Sequence, residues 1–322
     1  MCGLGPAPAP CQIQNRDRKG AGLRSRAEAR PALTRLIEIL APHVISLLQL
    51  MAWLLLLAVI FVPLERCFPR RPQHIFRRAF HSDLIYYFLS SVLPKFLLIP
   101  PMTAVAWLLH RAMPGGIYPA VAAMPLLARL AAAQIVGEIG SYWAHRWMHQ
   151  VPLLWRFHSL HHSAEEMDWL VNTRAHPVDL VLTRFCALAP MYALGLAQPL
   201  GNGIDAVPVV VTILGTIWGF FIHSNLNWRF GWLEWLVSSP AFHHWHHTLG
   251  PEHVNQNYAP MLPLVDRLFG TYYLPRDQWP RAYGTDTPIP SDMSGQLLEP
   301  FALSVTEALT EPRPSGSVLN EN

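Results

Sequence analysis

Residues 134–162 read QIVGEIGSYWAHRWMHQVPLLWRFHSLHH, an apolar run that passes at Tyr142 into a stretch carrying five histidines. The apolar part extends back to Ala120, so 24 residues reach Trp143. That is enough for a helix to cross a hydrocarbon core of roughly 30 Å. On a helix continuing from it, the i, i+4 spacing of His145 and His149 puts both rings on one face. His158-Ser-Leu-His161-His162 does the same for three rings, and His243-His244-Trp-His246-His247 repeats that spacing. The sequence therefore predicts membrane helices that deliver convergent imidazoles just beyond their ends.

The composition agrees. Of 322 residues 51% are hydrophobic and only 14% charged, against about 25% charged in ordinary soluble proteins. Disordered and collagen-like chains are excluded by this balance, and the net charge of +3 gives no reason to expect a nucleic-acid partner. Lys19 and Lys95 are the only lysines, so the positive charge is arginine flanking apolar segments. Cys2, Cys11, Cys67 and Cys186 are scattered without C-x-x-C spacing, which predicts no disulfide framework.

Five apolar stretches are expected to meet the membrane: Val44–Val62, Leu84–Leu109 with Pro94, Lys95, Pro100 and Pro101 inside it, Ala120–Trp143, Val178–Leu200 and Ala206–Ile222. Gly201-Asn202-Gly203 is a turn signal between the last two, either of which is short enough to be re-entrant or in-plane. If stretches two with three and four with five form hairpins, segments 64–83, 143–177 and 223–285 share one side. That side carries Arg66, Arg70, Arg71, Arg77, Arg78, Arg146, Arg156 and Arg174, and the opposite loops carry Arg111. The positive-inside rule then puts the histidine clusters on the cytoplasmic face. A single first crossing would leave the seven basic residues between Arg16 and Arg35 on the other side, a conflict that a hairpin or interfacial first segment would remove.

Ligand counting constrains the chemistry. A catalytic zinc takes about three protein ligands and a structural one four, whereas the three clusters, His244 left aside, offer eight imidazoles, nine with His223. One metal is too few for them. Imidazole suits iron, copper, nickel and zinc alike. No H-E-x-x-H occurs, which removes the zinc-protease reading, and a bis-histidine haem would use only two rings. A lone His-x-x-x-His is commonplace on helices without a metal; three clusters, each just beyond an apolar stretch, are not. His43, His74, His81 and His110 read as interfacial side chains, and Trp228, Trp232 and Trp235 as an aromatic belt. Glu138 is different, because an ionisable group inside an apolar helix is costly. Its offsets of seven and eleven place it on the face of His145 and His149, either orienting a ligand ring or pairing with Arg129 or another polar group.

At this point the residues match a known pattern. The ordered set is Tyr142-Trp-x-His145-Arg-x-x-His149, Phe157-His158-x-x-His161-His162, Arg174-x-His176-Pro177 and Phe221-x-His223-Ser-Asn225. It continues through Gly231, Ser239-Pro240-x-x-His243-x-x-His246-His247, Asn257-Tyr258 and Asp266-x-Leu268-Phe269-Gly270-Thr271. Over about residues 134–275 the chain resembles the fatty acid hydroxylase and sterol desaturase superfamily of integral membrane di-iron oxygenases. The resemblance implies that His145, His149, His158, His161, His162, His243, His246 and His247 bind two irons, with His223 a further ligand. It makes His176 and Asn225 candidates for a ligand or supporting role, beside Glu138 with its place in the helix, and assigns no metal to His244. Ala259 and Val265 depart from the pattern at positions that are not ligands.

The implied reaction activates O2 at a reduced di-iron centre and removes hydrogen from an unactivated C–H bond, leaving a hydroxyl group or a double bond. Neither a haem-binding H-P-G-G segment nor a G-x-G-x-x-G occurs, so electrons are expected from a separate reductase with a cytochrome b5-like, ferredoxin or rubredoxin carrier. The expected fold is all-α: a basic disordered tail (1–36), a membrane-helix region (37–133), a catalytic region with two further membrane helices (134–275) and a loose C-terminal tail (276–322). The expected protein is a multi-pass membrane enzyme acting on a sterol, fatty acyl or related lipid. Ether-lipid cleavage at the same site is the nearest alternative. A histidine-rich metal transporter or store is the alternative from another class, though transport calls for ionisable residues along several spans and the stretches hold few, among them Lys95, Arg129, Glu138 and Arg184.

Overall fold

The computed structural model describes residues 17–112, 117–197, 205–250 and 255–302, with backbone alone for 17–33, 110, 117–118 and 122. The ends of both expected tails and the Gly201–Gly203 turn lie outside the described residues. The chain divides into two compact units, Met1–Leu57 and Ala58–Asn322. Helices run in the order α1 (Asp17–Cys67), α2 (Phe80–Ala112), α3 (Ile117–Ala122), α4 (Leu126–Gln150), α5 (Pro152–His158), α6 (Pro177–Ala193), α7 (Ala206–His223), α8 (Pro240–His246), α9 (Pro263–Leu268) and α10 (Met293–Leu298). Short 3-10 turns occupy His161–Ser163, Trp169–Thr173, Gly231–Trp235 and Glu299–Phe301. No strand occurs among the described residues, and the protein is helical as its sequence predicts.

Three of these helices are long and apolar enough to cross a membrane: Thr34–Cys67, Phe80–Leu109 and Ala206–His223. Five were expected, and the two that fall short do so for different reasons. Arg129, Glu138, His145 and His149 dilute the apolar character of α4. Helix α6 has only 17 residues, roughly 25 Å at 1.5 Å per residue. Helix α2 runs unbroken through Pro94, Pro100 and Pro101. The helix α1 starts at Asp17, inside the stretch expected as a tail; its Ala, Arg, Leu and Glu content favours helix.

In the second unit α4 packs closely on α6, and glycine sets the distance. A Cβ at Gly140 would lie 1.9 Å from the carbonyl oxygen of Cys186, which the backbone cannot yield. Beyond these two helices the chain turns through short helices that open on proline. Pro152, Pro177 and Pro240 each occupy the first turn, where a missing N–H costs nothing. The hydroxyl of Ser239 accepts from the amide of Phe242 to cap α8, and His176 Nδ1 accepts from the amide of Val178 to cap α6.

Four buried charges lock the start of α2 to the segment that follows the second histidine cluster. Asp83 accepts from Arg77 at 2.5 Å and from Arg174 at 2.6 and 2.9 Å. Arg77 also forks onto both oxygens of Asp168 at 2.7 Å. Each charge is thus paired and hydrogen-bonded, which buried ions require.

The segment 276–302, expected as part of a loose tail, is folded onto the histidine-bearing region. Arg71 donates to the carbonyls of Pro280 and Arg281, Trp155 to the Thr287 hydroxyl and Tyr86 to Gln296 Oε1. A Pro, Ser and Gly content reads as loose chain, but anchors such as the buried Tyr283 outweigh it.

Candidate metal centre

The nine histidines assigned by spacing and resemblance come together in two groups. His145, His149, His158, His162 and His246 form one, and His161, His223, His243 and His247 the other, with the candidate ligand nitrogens in each group within 4.8 Å of one another. The groups adjoin: the rings of His162 and His247 stack at 4.5 Å between centroids. The sequence clusters do not map onto the groups. His158 and His162 go to the first and His161 to the second, while His243 and His247 go to the second and His246 to the first.

Hydrogen bonds fix which nitrogen of five rings carries the proton. His145 Nδ1 donates to the carbonyl of Tyr258 at 2.7 Å, His161 Nδ1 to Arg174 at 2.9 Å, His223 Nδ1 to Gly219 at 2.7 Å and His246 Nδ1 to Gln256 at 2.8 Å. His158 Nδ1 donates to Asp179 Oδ2 at 2.8 Å. In a neutral ring the other nitrogen, Nε2, is then a lone pair. Burial keeps the rings neutral, pushing His145 and His158 down to about 3 and His161 to about 4.

Two pairs of these lone pairs face each other. His145 Nε2 lies 3.1 Å from His158 Nε2, and His161 Nε2 lies 3.2 Å from His223 Nε2. Neither atom of either pair has a proton to share, so each contact is repulsive until a cation accepts both. Among the described histidines, the buried nitrogens without a hydrogen-bond partner are His149 Nδ1 and Nε2, His243 Nδ1, His246 Nε2 and His247 Nδ1. Orphaned buried acceptors are rare in folded proteins, and there is one facing pair in each group. The donor set is nitrogen only, which suits iron, copper, nickel or zinc, and the residues fit a pair of metal ions.

The other candidates fall elsewhere. His176 caps α6 and donates through Nε2 to Leu297 O at 3.1 Å. His244 donates to the Ser224 carbonyl and accepts from Tyr283. Asn225 clamps Arg71, accepting its amide proton at 3.0 Å and donating to its carbonyl at 2.7 Å. Glu138 does not reach a ligand ring: its Oε1 accepts the amides of Met261 and Leu262, each at 2.6 Å. The carboxylate beside a ligand ring is Asp179, which the sequence reading passed over. The signal was there: an acid in the first turn of an apolar helix, three residues after His176.

Comparison with known proteins finds relatives of the same region of the chain. Residues 130–271 match the fatty acid hydroxylase family. The chain is 32% identical to an ornithine lipid hydroxylase of Rhizobium tropici over 61% of its length and 57% of that protein's. It is 32% identical to the alkylglycerol monooxygenase of Danio rerio over 47% of this chain and 32% of that one. A sterol desaturase of Gibberella zeae, the delta(7)-sterol 5(6) enzyme, is 28% identical over 43% of this chain and 35% of its own. The chain thus spans little more than half of the first relative and about a third of the other two. No solved structure matches the chain significantly. Residues 130–271 of the chain are thus similar to the fatty acid hydroxylase domain, and the matched relatives are a lipid hydroxylase, a monooxygenase and a sterol desaturase.

Proposed function

We propose that this chain is a membrane-bound oxidoreductase that uses O2 and two irons to oxidise a C–H bond of a lipid, by hydroxylation or desaturation. The observation that carries the reading is the pair of adjoining groups in which lone pairs of neutral, buried imidazoles face one another. Irons held there would supply the redox chemistry for O2. The protein's own part is to hold the ligands. Asp179 and four carbonyls keep the Nδ1 protons of five rings in place, so that their Nε2 atoms stay available. Burial excludes water from the reacting volume. The region 134–275 is the catalytic part in this reading.

The arginine asymmetry favours a cytoplasmic site, where a separate reductase or carrier supplies electrons while the lipid enters from the bilayer. Hydroxylation is supported by the names of the ornithine lipid and alkylglycerol relatives, and an alkylglycerol is the second substrate class on the same ground. Protein purified anaerobically from iron-replete cells is expected to contain about two irons per chain, as nine imidazoles exceed one metal's needs. Cells carrying the gene should show a lipid altered by one oxygen or two hydrogens. Zinc alone at one equivalent, or no lipid change under any growth condition, would overturn the reading.

A further inference from the structure

A cavity of about 610 Å³ lies apart from the nine histidines, at the end of α1. Ala58 and Val62 form one wall, and Pro69, Ile75, Phe76 and Trp169 most of the rest. Two carboxylates border this apolar space: Asp168, whose two oxygens are taken by Arg77, and Glu65. Glu65 Oε1 accepts the amides of Trp169 at 2.8 Å and Asn225 at 2.9 Å, and its Oε2 has no hydrogen-bond partner among the described residues. Arg66, Arg71 and His74 are among the other polar residues that line it.

The place in the fold indicates what kind of molecule enters. Glu65 stands in the last turn of the candidate span Thr34–Cys67, and the loop beyond it leaves Phe68 and Phe76 46% and 72% exposed. Aromatic side chains there suit the boundary between hydrocarbon and headgroups, so the occupant expected is an amphiphile with its tail in the bilayer. A carboxyl group held among apolar walls and beside Asp168 is ionised at least cost when a cation meets it. The neighbouring arginines and histidine answer an anion. Both demands together describe a headgroup with an ammonium close to a negative group. The cavity also abuts the site, because Asn225 lies two residues beyond His223.

We infer that this cavity receives the headgroup of the lipid substrate, and that the substrate is a zwitterionic lipid with a primary amine that donates to Glu65 Oε2. The inference rests on the reading of the chain as a lipid oxidoreductase. Arg66 is placed to meet the anionic part, and Glu65 sets the preference for the amine.

Native mass spectrometry of the full chain in detergent tests this, with phosphatidylethanolamine, phosphatidylcholine and phosphatidylglycerol as probes and iron measured in the same samples. Phosphatidylethanolamine should bind roughly tenfold tighter than either other lipid, the size of one charge-assisted hydrogen bond. Phosphatidylcholine keeps the positive charge but has no N–H, and phosphatidylglycerol lacks the cation. Glu65→Gln keeps an oxygen for the two amides and places a donor where the ammonium should sit, so the preference should vanish with iron content unchanged. Ala58→Phe, which fills the cavity from α1 without touching Glu65, should weaken binding of the probe. Equal binding of the three lipids by the wild type, an unaltered preference in Glu65→Gln, or undiminished phosphatidylethanolamine binding in Ala58→Phe overturns the inference. A preference that stands in a protein without iron would keep the headgroup site and remove the di-iron reading instead.

Discussion

His158 donates its Nδ1 proton to a side chain, the carboxylate of Asp179, whereas His161, three residues on and in the other group, donates to a backbone carbonyl, that of Arg174. The same contrast runs through both groups. The five-histidine group has one carboxylate among its supports, and the four-histidine group has carbonyls from Arg174 and Gly219. A carboxylate strengthens an imidazole as a donor to metal and can be changed by one substitution; a carbonyl can be disturbed only by moving the chain that carries it. The first group is thus exposed to point mutation, and the second to whatever holds residue 174. That holder is the buried network of Asp83, Arg77 and Asp168.

The largest effects should come from the rings themselves. His246→Ala strikes the five-histidine group and His161→Ala the other, and each should lose at least one of about two irons, measured by metal analysis. Turnover should fall roughly 10³-fold or more, the several kcal/mol a metal contributes. Full iron retention in either variant would remove that ring from the ligand set.

Next comes Asp83→Asn, which leaves two buried guanidinium groups short of their shared anion. Breaking such a pair costs about 3–5 kcal/mol, read as a lowered melting temperature in detergent. Iron that remains in the variant should be depleted first from the four-histidine group, since the Arg174 carbonyl supports His161. Asp179→Asn should do the reverse. Metal affinity of the five-histidine group should fall about 10 to 100-fold with little change in melting temperature. Mössbauer spectra of the two variants, each losing a different component of the wild-type signal, would separate the groups; loss of the same component in both would erase the distinction.

What the sequence displays and what it hides follow from helix geometry. Spacing is local, so all nine rings could be picked out from positions i, i+3, i+4 and from the pattern around His223. Partition is not local. On α8, His247 lies about 40° round the helix from His243 and His246 about 60° the other way, so the middle ring of the triad can turn to the neighbouring metal position. The second triad makes the same exchange with His158 closing α5 and His161 and His162 on the following 3-10 turn. The carboxylates are harder still. Glu138 was conspicuous because an apolar helix surrounds it, yet what it meets is an amide pair 123 and 124 residues away. Asp179 sits at a helix start where acids are common, and Asp83 and Asp168 carry no local mark of the arginines that face them.

Glu138 and Asp179 therefore make the finest test of the comparison, as two buried carboxylates on packed helices with different clients. Asp179 serves a ring that faces another lone pair; Glu138 serves the backbone just before α9. Through that backbone it steadies the chain carrying Tyr258, whose carbonyl holds His145, but Ala259 and Pro260 separate Tyr258 from Met261. In Glu138→Gln the amide oxygen can still accept from both backbone donors. Only the charge assistance is lost, about 1 kcal/mol of stability, visible as a small drop in melting temperature. Iron content should stay at the wild-type value, in contrast to Asp179→Asn. Asp at position 138 should do worse than Gln, because one methylene less draws the oxygen back from both amides. A loss of iron in Glu138→Gln equal to that in Asp179→Asn would mean that the chain around Tyr258 transmits the disturbance to His145, and that backbone supports are no safer than the carboxylate.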